Sequence, residues 1–494
     1  MTRRGAWAAT AVVCSALFLI GLDFTVLNVA IPGLQRDLGP SMAETQWLVD
    51  GYALTLGACV LAAGTLSDSY GRRRAFLTGL ALCAVASAGG ALADSAAQVV
   101  AARCGMGLGA ALFMPATLAT IAHVFRGAAA DRRRAMSLWA AVAGIGTLTG
   151  PVAGGWLVED ASWRAAFWLN VPVALAVFAA AVVFVPESTG PQPRPLDRAG
   201  ALLSSGALLA LVWGIIEAPG RGWLSRPVLA AFVTAAVLLV LFAWWQRRCP
   251  TPMLPLSVAR NGAVRAAAVA LALMSFAVFG AMFILTLYLQ QVRGLGPWQA
   301  GLRITPLSVG LAIGAGAAAL VSKRYGPRTA VTAGLVLIAA GCAVLAGDTQ
   351  VLAFEGFAGF GAGLVAPSAT ETLMASVPEE SSGLGSALND ASRQVGSTLG
   401  VAVLGSVLVT VSTGHSAPVT ATGDAFVRGM TAAAWTAAAV TLAGAGLAWF
   451  RLPGADGAPG RAAEDAAWKT SAGSASVPDP QPVHGLAPKT VHHP

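Results

Sequence analysis

Runs of about 20 mostly apolar residues, each long enough to cross a bilayer as a helix, recur fourteen times along this chain. The first covers residues 7–31 and the last 425–450. Hydrocarbon offers no partner for backbone N–H and C=O groups, so each run must satisfy them internally, and a helix is the form that does so. The expected fold class is therefore an all-α polytopic membrane protein. Composition agrees: hydrophobic residues make up 56% of the 494 and charged residues 11%, against about a quarter charged in soluble domains. The opening MTRRGAW could start a signal peptide, but the apolar run behind it continues for about 25 residues, which suits a retained span. The six cysteines form no CxxC pair and lie mostly inside apolar runs, so they are read as small packing residues rather than a disulfide or metal framework.

The net charge of +8 is a topology signal, with no nucleic-acid partner implied. With the N-terminus inside, nineteen Lys and Arg up to Arg451 fall on the cytoplasmic side, in runs such as GRRRA, DRRRA, WWQRR and SKRYGPR, and seven fall outside. Positive charge stays inside, so both termini are expected in the cytoplasm. After Arg451 the chain turns polar and Pro-rich, and residues 451–494 are expected to be a disordered tail.

Two short segments recur in the same order. SYGRRRA (69–75) matches RYGPRTA (324–330), and RCGMGLGAALFMP (103–115) matches EGFAGFGAGLVAP (355–367). The chain thus reads as two six-helix halves, residues 1–186 and 265–450, separated by 187–264 with two additional helices at 199–218 and 226–246. Repeated halves place a substrate site between them near the bilayer midplane.

Several motifs occur together: LDFTVLNVAIP (22–32), GTLSDSYGRRR (64–74), Arg103 with Gly107 and Gly109, GIGTLTGPVAGG (144–155), WRAAFWLNVP (163–172) and GRGW (220–223). On these the chain resembles the major facilitator superfamily, and specifically its fourteen-helix drug:proton antiporter branch, over residues 7–450. The resemblance implies two halves that rock about a central cavity. It also implies that the acid of GTLSDSYGRRR bridges the halves when the cavity faces outward, and that GIGTLTGPVAGG marks exporters rather than symporters.

The residues carry their own reasons. Asp68 stands near the C-terminus of its helix, where the macrodipole disfavours an anion, so it needs a cation or the N-terminus of another helix. Gly64 opens this motif, Gly71 permits the tight turn, and Arg72 and Arg73 anchor the cytoplasmic face. Lys323 replaces the acid in the second copy, so no equivalent latch is expected there. Gly146, Gly150, Gly154 and Gly155 lie on or near one side of their helix, where small residues let two backbones touch, and Pro151 predicts a bend. Generic tight packing and a seal or hinge between the halves are both open to this motif.

Ionisable residues inside spans are functional candidates. Asp23 lies about 24 Å along its helix from Trp7 at about 1.5 Å per residue, and is read as a proton or substrate carboxylate; neutralisation by an Arg, or bonding to Thr25 or Asn28, is the plainer alternative. Arg103 is a permanent cation that must find carboxylates or water, and its repeat partner is Glu355. Asp390 and Arg393 stand at i and i+3 on one helix face, where they could line the cavity or neutralise each other. Asp50, Glu217 and Glu371 are read as solvated residues near span ends, and His123 and His415 as interfacial.

No phosphate loop, nucleophile elbow or metal constellation is present in the sequence, so no enzyme activity is expected. The expectation is a monomeric proton-coupled antiporter in the bacterial cytoplasmic membrane, with no cofactor. The proton gradient supplies its energy at about 2.3 kcal/mol per charge per 100 mV. Its ligands would be protons and a small amphipathic drug or antibiotic. A nutrient symporter conflicts with GIGTLTGPVAGG. A non-transporting receptor would not need Asp23, Arg103, Glu355 and Asp390 in four spans.

Overall fold

Short polar punctuation separates the spans. Gly39, at φ +58°, closes the first helix with its N–H on the Gln35 carbonyl, a left-handed turn that costs glycine little. Two residues on, Ser41 starts the next helix: its hydroxyl accepts from the Glu44 N–H at 3.2 Å, and Glu44 Oε2 accepts from the Ser41 N–H at 2.8 Å. This reciprocal cap satisfies two orphan donors at a helix start.

The computed structural model describes residues 2–126, 128–189, 197–252, 258, 260–348, 350–377, 382–413 and 423–454. Within them the helices are α1 (Arg3–Leu38), α2 (Met42–Tyr70), α3 (Arg72–Ala91), α4 (Ala96–Val124), α5 (Ala129–Asp160), α6 (Trp163–Phe184), α7 (Arg198–Arg221) and α8 (Arg226–Arg248). They continue with α9 (Gly262–Leu287, extended by a π-helical turn, Tyr288–Val292), α10 (Pro297–Tyr325), α11 (Pro327–Asp348), α12 (Val351–Ala375), α13 (Ser382–Thr413) and α14 (Gly423–Arg451). Thirteen are long and apolar enough to cross a membrane. The fourteenth expected span is α5, 32 residues long, packed between α1 and α10. The tail beyond Gly454 and His415 lie outside the described residues. Below, inner and outer name the two sides as the charge asymmetry assigns them.

Among the described residues the two largest apolar clusters each belong mainly to one half. One draws on α1–α6, including Leu34, Phe76, Phe113 and Phe167. The other draws on α9–α14, including Phe283, Ile338 and Phe354, and takes in Ile31, Met42 and Val49 from the first half. Helix α7 rests on α2 and α13, with Val212, Ile215 and Ile216 against Leu54 and Ala402. Ser205 Oγ donates to the Ala58 carbonyl at 3.1 Å and Ser406 Oγ to the Ile215 carbonyl at 2.8 Å, so α7 touches both halves from the periphery. Asp197 fastens the α7–α8 hairpin: it caps Gly200 N–H at 2.8 Å and accepts from Trp245 Nε1 at 2.7 Å and Gln246 Nε2 at 2.9 Å.

Glu217 ends α7 in an i,i+4 pair with Arg221 at 2.7 Å. Such surface pairs contribute about 0.3–0.5 kcal/mol. Glu217→Gln is therefore expected to leave transport and thermal stability at wild-type levels, measured by export from cells and by thermal unfolding in detergent.

Candidate functional site

Asp23 is buried in α1 and ties it to two other helices at once. Its Oδ2 accepts from Arg103 Nη1 of α4 at 2.7 Å, and its Oδ1 accepts from Asn170 Nδ2 of α6 at 2.6 Å. Arg103 is 1% exposed. It also donates through Nε to the Leu48 carbonyl of α2 at 3.2 Å, and its guanidinium lies 4.5 Å from the Tyr52 ring centroid. The acid thus stands in an apolar helix with a cation, an amide and an aromatic face around it. A buried charge is tolerated when paired and hydrogen-bonded, and each of these side chains supplies part of that. Thr25 turns its hydroxyl to its own helix, toward the Gly21 and Leu22 carbonyls at 3.1 and 3.2 Å. Asn170 and Tyr52 escaped the sequence reading; an asparagine in the middle of an apolar span was the available signal for the first.

Helix α5 packs directly on this assembly. A β-carbon at Gly146 would lie 2.5 Å from the Phe18 carbonyl oxygen, one at Gly150 would overlap the Thr25 hydroxyl, and one at Gly154 would lie 3.0 Å from Val26 Cα. These three glycines seat α5 on α1, within the same half. The other two motif residues reach the opposite half. A β-carbon at Gly155 would sit 2.8 Å from the Pro297 carbonyl oxygen, and the Pro151 carbonyl fills the space where Gly301 lacks a side chain. Among the described motif residues, contacts with the opposite half are made by Pro151 and Gly155, while Gly146, Gly150 and Gly154 rest on α1.

Three charged residues of the second half do not join Asp23. Glu355 is fully buried in α12, and neither carboxyl oxygen has a hydrogen-bond partner among the described residues. Asp390 accepts from Asn389 Nδ2 at 3.2 Å, and Asn389 in turn accepts from Thr370 of α12 at 2.7 Å. Arg393 is exposed. Asp50 corrects the sequence reading: it is 0% exposed, with both carboxyl oxygens unpartnered among the described residues. It sits on α2 one turn from Gln46, against α13, where a β-carbon at Gly57 would come 2.8 Å from Gln394 Cβ. Hydropathy places Asp50 near a span end; the crossing of a second helix is what buries it.

The inner loop between α2 and α3 is held by its own ion pair and by the segment that follows α6. Asp68 pairs with Arg72 at 2.8 Å, and Gly71 has φ +118°. Arg72 N–H donates to the Ser188 carbonyl at 2.8 Å and Arg73 N–H to Glu187 Oε1 at 3.1 Å. Arg73 also reaches the Val182 carbonyl through its guanidinium. Glu187 therefore caps α3 from the segment after α6, a role no local pattern in the sequence signals. Gly64 meets Pro115 of α4 at ordinary contact distance.

On the outer side the halves meet closely. Gln290 Nε2 of the second half donates to the Val29 carbonyl at 3.0 Å, Gln291 bonds Gln35, and the Trp298 N–H donates to Glu159 Oε2 at 2.9 Å.

A polytopic helical bundle with two halves, an ionisable cluster inside one of them and a tight seam between them is the architecture of a membrane transporter. The family model described as Major Facilitator Superfamily matches residues 13–302 and 267–486, and the chain belongs to that superfamily. It is 38% identical to the multidrug resistance protein Stp of Mycobacterium tuberculosis, over 79% of this chain and 74% of that protein. It is 34% identical to the tetracenomycin C resistance and export protein of Streptomyces glaucescens, over 81% and 75% of the two chains. With the multidrug efflux pump LfrA of Mycolicibacterium smegmatis it shares 35% identity over 82% and 81%. Among solved structures it resembles the POT family transporter PepTSo, with a TM-score of 0.68, 14% identity and coverage of 91% and 98%. That likeness speaks to the fold alone.

Proposed function

We propose that this chain is a proton-coupled antiporter that exports drugs or antibiotics from the cytoplasm, with residues 1–186 and 265–450 rocking about a cavity between them and residues 187–264 peripheral. The observation that carries the reading is the placement of α5. Its glycines touch α1 beside Asp23, and its next turn touches α10 of the other half. A change at the buried ion pair is thereby linked, through one rigid helix, to the seam between the halves. A proton on Asp23 removes the charge that Arg103 grips, and α1 and α5 are then free to shift together. Asp68, paired with Arg72 while the outer side is closed, is the acid that reaches across when the inner side closes. Relatives named for multidrug resistance and for tetracenomycin C export support a small amphipathic substrate. The positive-inside pattern supports a cytoplasmic membrane location with both termini inside.

The test uses purified protein and cells of an efflux-deficient host. Wild type is expected to confer resistance to part of an antibiotic panel, to lose it with a protonophore, and to release protons on substrate addition. Asp23→Asn keeps shape and hydrogen bonding without titration, and is expected to bind substrate yet fail to extrude it against a gradient. Wild-type proton release and export by Asp23→Asn would remove Asp23 from coupling and shift the assignment to Glu355 and Asp390.

A further inference from the structure

Glu159 stands at the outer end of α5, and its carboxylate leaves its own half. Helix α10 of the opposite half begins at Pro297 behind Gly296, which offers no side chain to cap it. Pro297 has no N–H, so the Trp298 N–H is the first available donor of that helix, and Glu159 Oε2 accepts from it at 2.9 Å. A carboxylate on a helix N-terminus gains from both the charge-assisted hydrogen bond and the macrodipole. One turn below, Gly155 lies against Pro297 and Trp298, and the Pro151 carbonyl against Gly301. These contacts align the two helix ends without supplying a charge.

The same seam borders an outward crevice of about 530 Å³ lined by Gln35, Arg36, Gln290, Gln291, Gly296 and Pro297. The Gln290–Val29 and Gln291–Gln35 hydrogen bonds cross the seam beside it, with neutral groups on both sides. Glu159 adds a carboxylate acceptor, placed on a helix end whose own sequence provides no cap.

We propose that Glu159 is the outer latch of the transport cycle: it caps α10 across the seam while the outer side is closed, and its release from the Trp298 N–H is a step of outward opening. The latch rests on the alternating-access part of the proposed function, but its test does not need export. Ile31 reports the seam. It is 0% exposed on α1 and packs within the second half's core, so Ile31→Cys reacts with a membrane-impermeant maleimide only when the outer side opens. Labelling is compared with the chain that keeps Ile31, which corrects for the native cysteines.

In purified protein without substrate or gradient, Glu159→Ala is expected to raise Ile31→Cys labelling about fivefold, the scale of a lost helix cap. Glu159→Gln, which keeps an acceptor oxygen without the charge, is expected to fall between. Trp298→Pro deletes the donor at a first-turn position that tolerates proline, and is expected to match Glu159→Ala, whereas Trp298→Ala keeps the N–H and should label like the parent. Equal labelling of Glu159→Ala, Trp298→Pro and the parent would overturn the latch. The expected labelling pattern in a chain whose wild type exports nothing would instead overturn the exporter reading and leave the latch standing.

Discussion

Arg103→Met is expected to abolish export and to lower thermal stability more than any other single change in the first half. It leaves the Asp23 carboxylate buried with Asn170 as its remaining described partner and strips the Leu48 carbonyl and the Tyr52 ring of their cation. Breaking a buried pair by removing one partner costs about 3–5 kcal/mol, because the other charge stays behind uncompensated. Replacing both partners by apolar side chains is often neutral for folding. Asp23→Leu combined with Arg103→Met should therefore recover stability, measured by thermal unfolding in detergent, without recovering export. Export by that double variant would make the ion pair a structural device and take the proton from Asp23.

Gly150→Leu is expected to insert in the membrane and to export nothing. Even a β-carbon there overlaps the Thr25 hydroxyl, lies 2.8 Å from Thr25 Cβ and comes 3.0 Å from the Leu22 carbonyl oxygen. Overpacking a close contact costs about 1–3 kcal/mol, and a leucine must push α5 away from α1 at the level of Asp23. The shift also drags Pro151 off Gly301, so the seam opens with it. Gly150→Ala should lose part of the activity, and adding Thr25→Ala should return some of it by clearing the hydroxyl. Normal export by a well-expressed Gly150→Leu would show that α5 does not transmit anything between the two contacts.

The extent of the fold that can be read without coordinates follows from what is one-dimensional. Span length, the basic loops and the recurrence of SYGRRRA and RCGMGLGAALFMP are all properties of consecutive residues, and hydrocarbon leaves a 20-residue apolar run little choice but helix. That α7 and α8 stand apart from the six-helix halves was an expectation drawn from their lying outside the repeat. The close packing at GIGTLTGPVAGG was legible from its glycine spacing, since small residues four apart mark a face made for close approach. Which helix each glycine would approach was not.

Asp23, Arg103, Glu355 and Asp390 were singled out because an ionisable group in a span is costly wherever it points. Pairing is a different matter. Asp23 and Arg103 are 80 residues apart and Asp23 and Asn170 are 147 apart, and their contact depends on the relative rotation of three helices. Asp50 shows the same limit from the other direction: eight residues into α2 it has the address of a solvated residue, yet the crossing of α13 seals it from water. Glu159 and Glu187 are ordinary charged residues at helix ends until the fold brings a foreign helix N-terminus to each.

The sequence by itself determined that this protein is a bundle of membrane helices, and which ionisable side chains stand inside its spans at a cost that calls for partners. These follow from the local cost of placing polar groups in hydrocarbon. Only the tertiary structure decided that Asp23 is held by Arg103 and Asn170, that Gly146, Gly150 and Gly154 face α1 while Pro151 and Gly155 face α10, and that the outer seam is closed by Gln290, Gln291 and Glu159. Those choices depend on the azimuth and depth of one helix against another. They are fixed by packing summed over the whole bundle, which no stretch of consecutive residues contains.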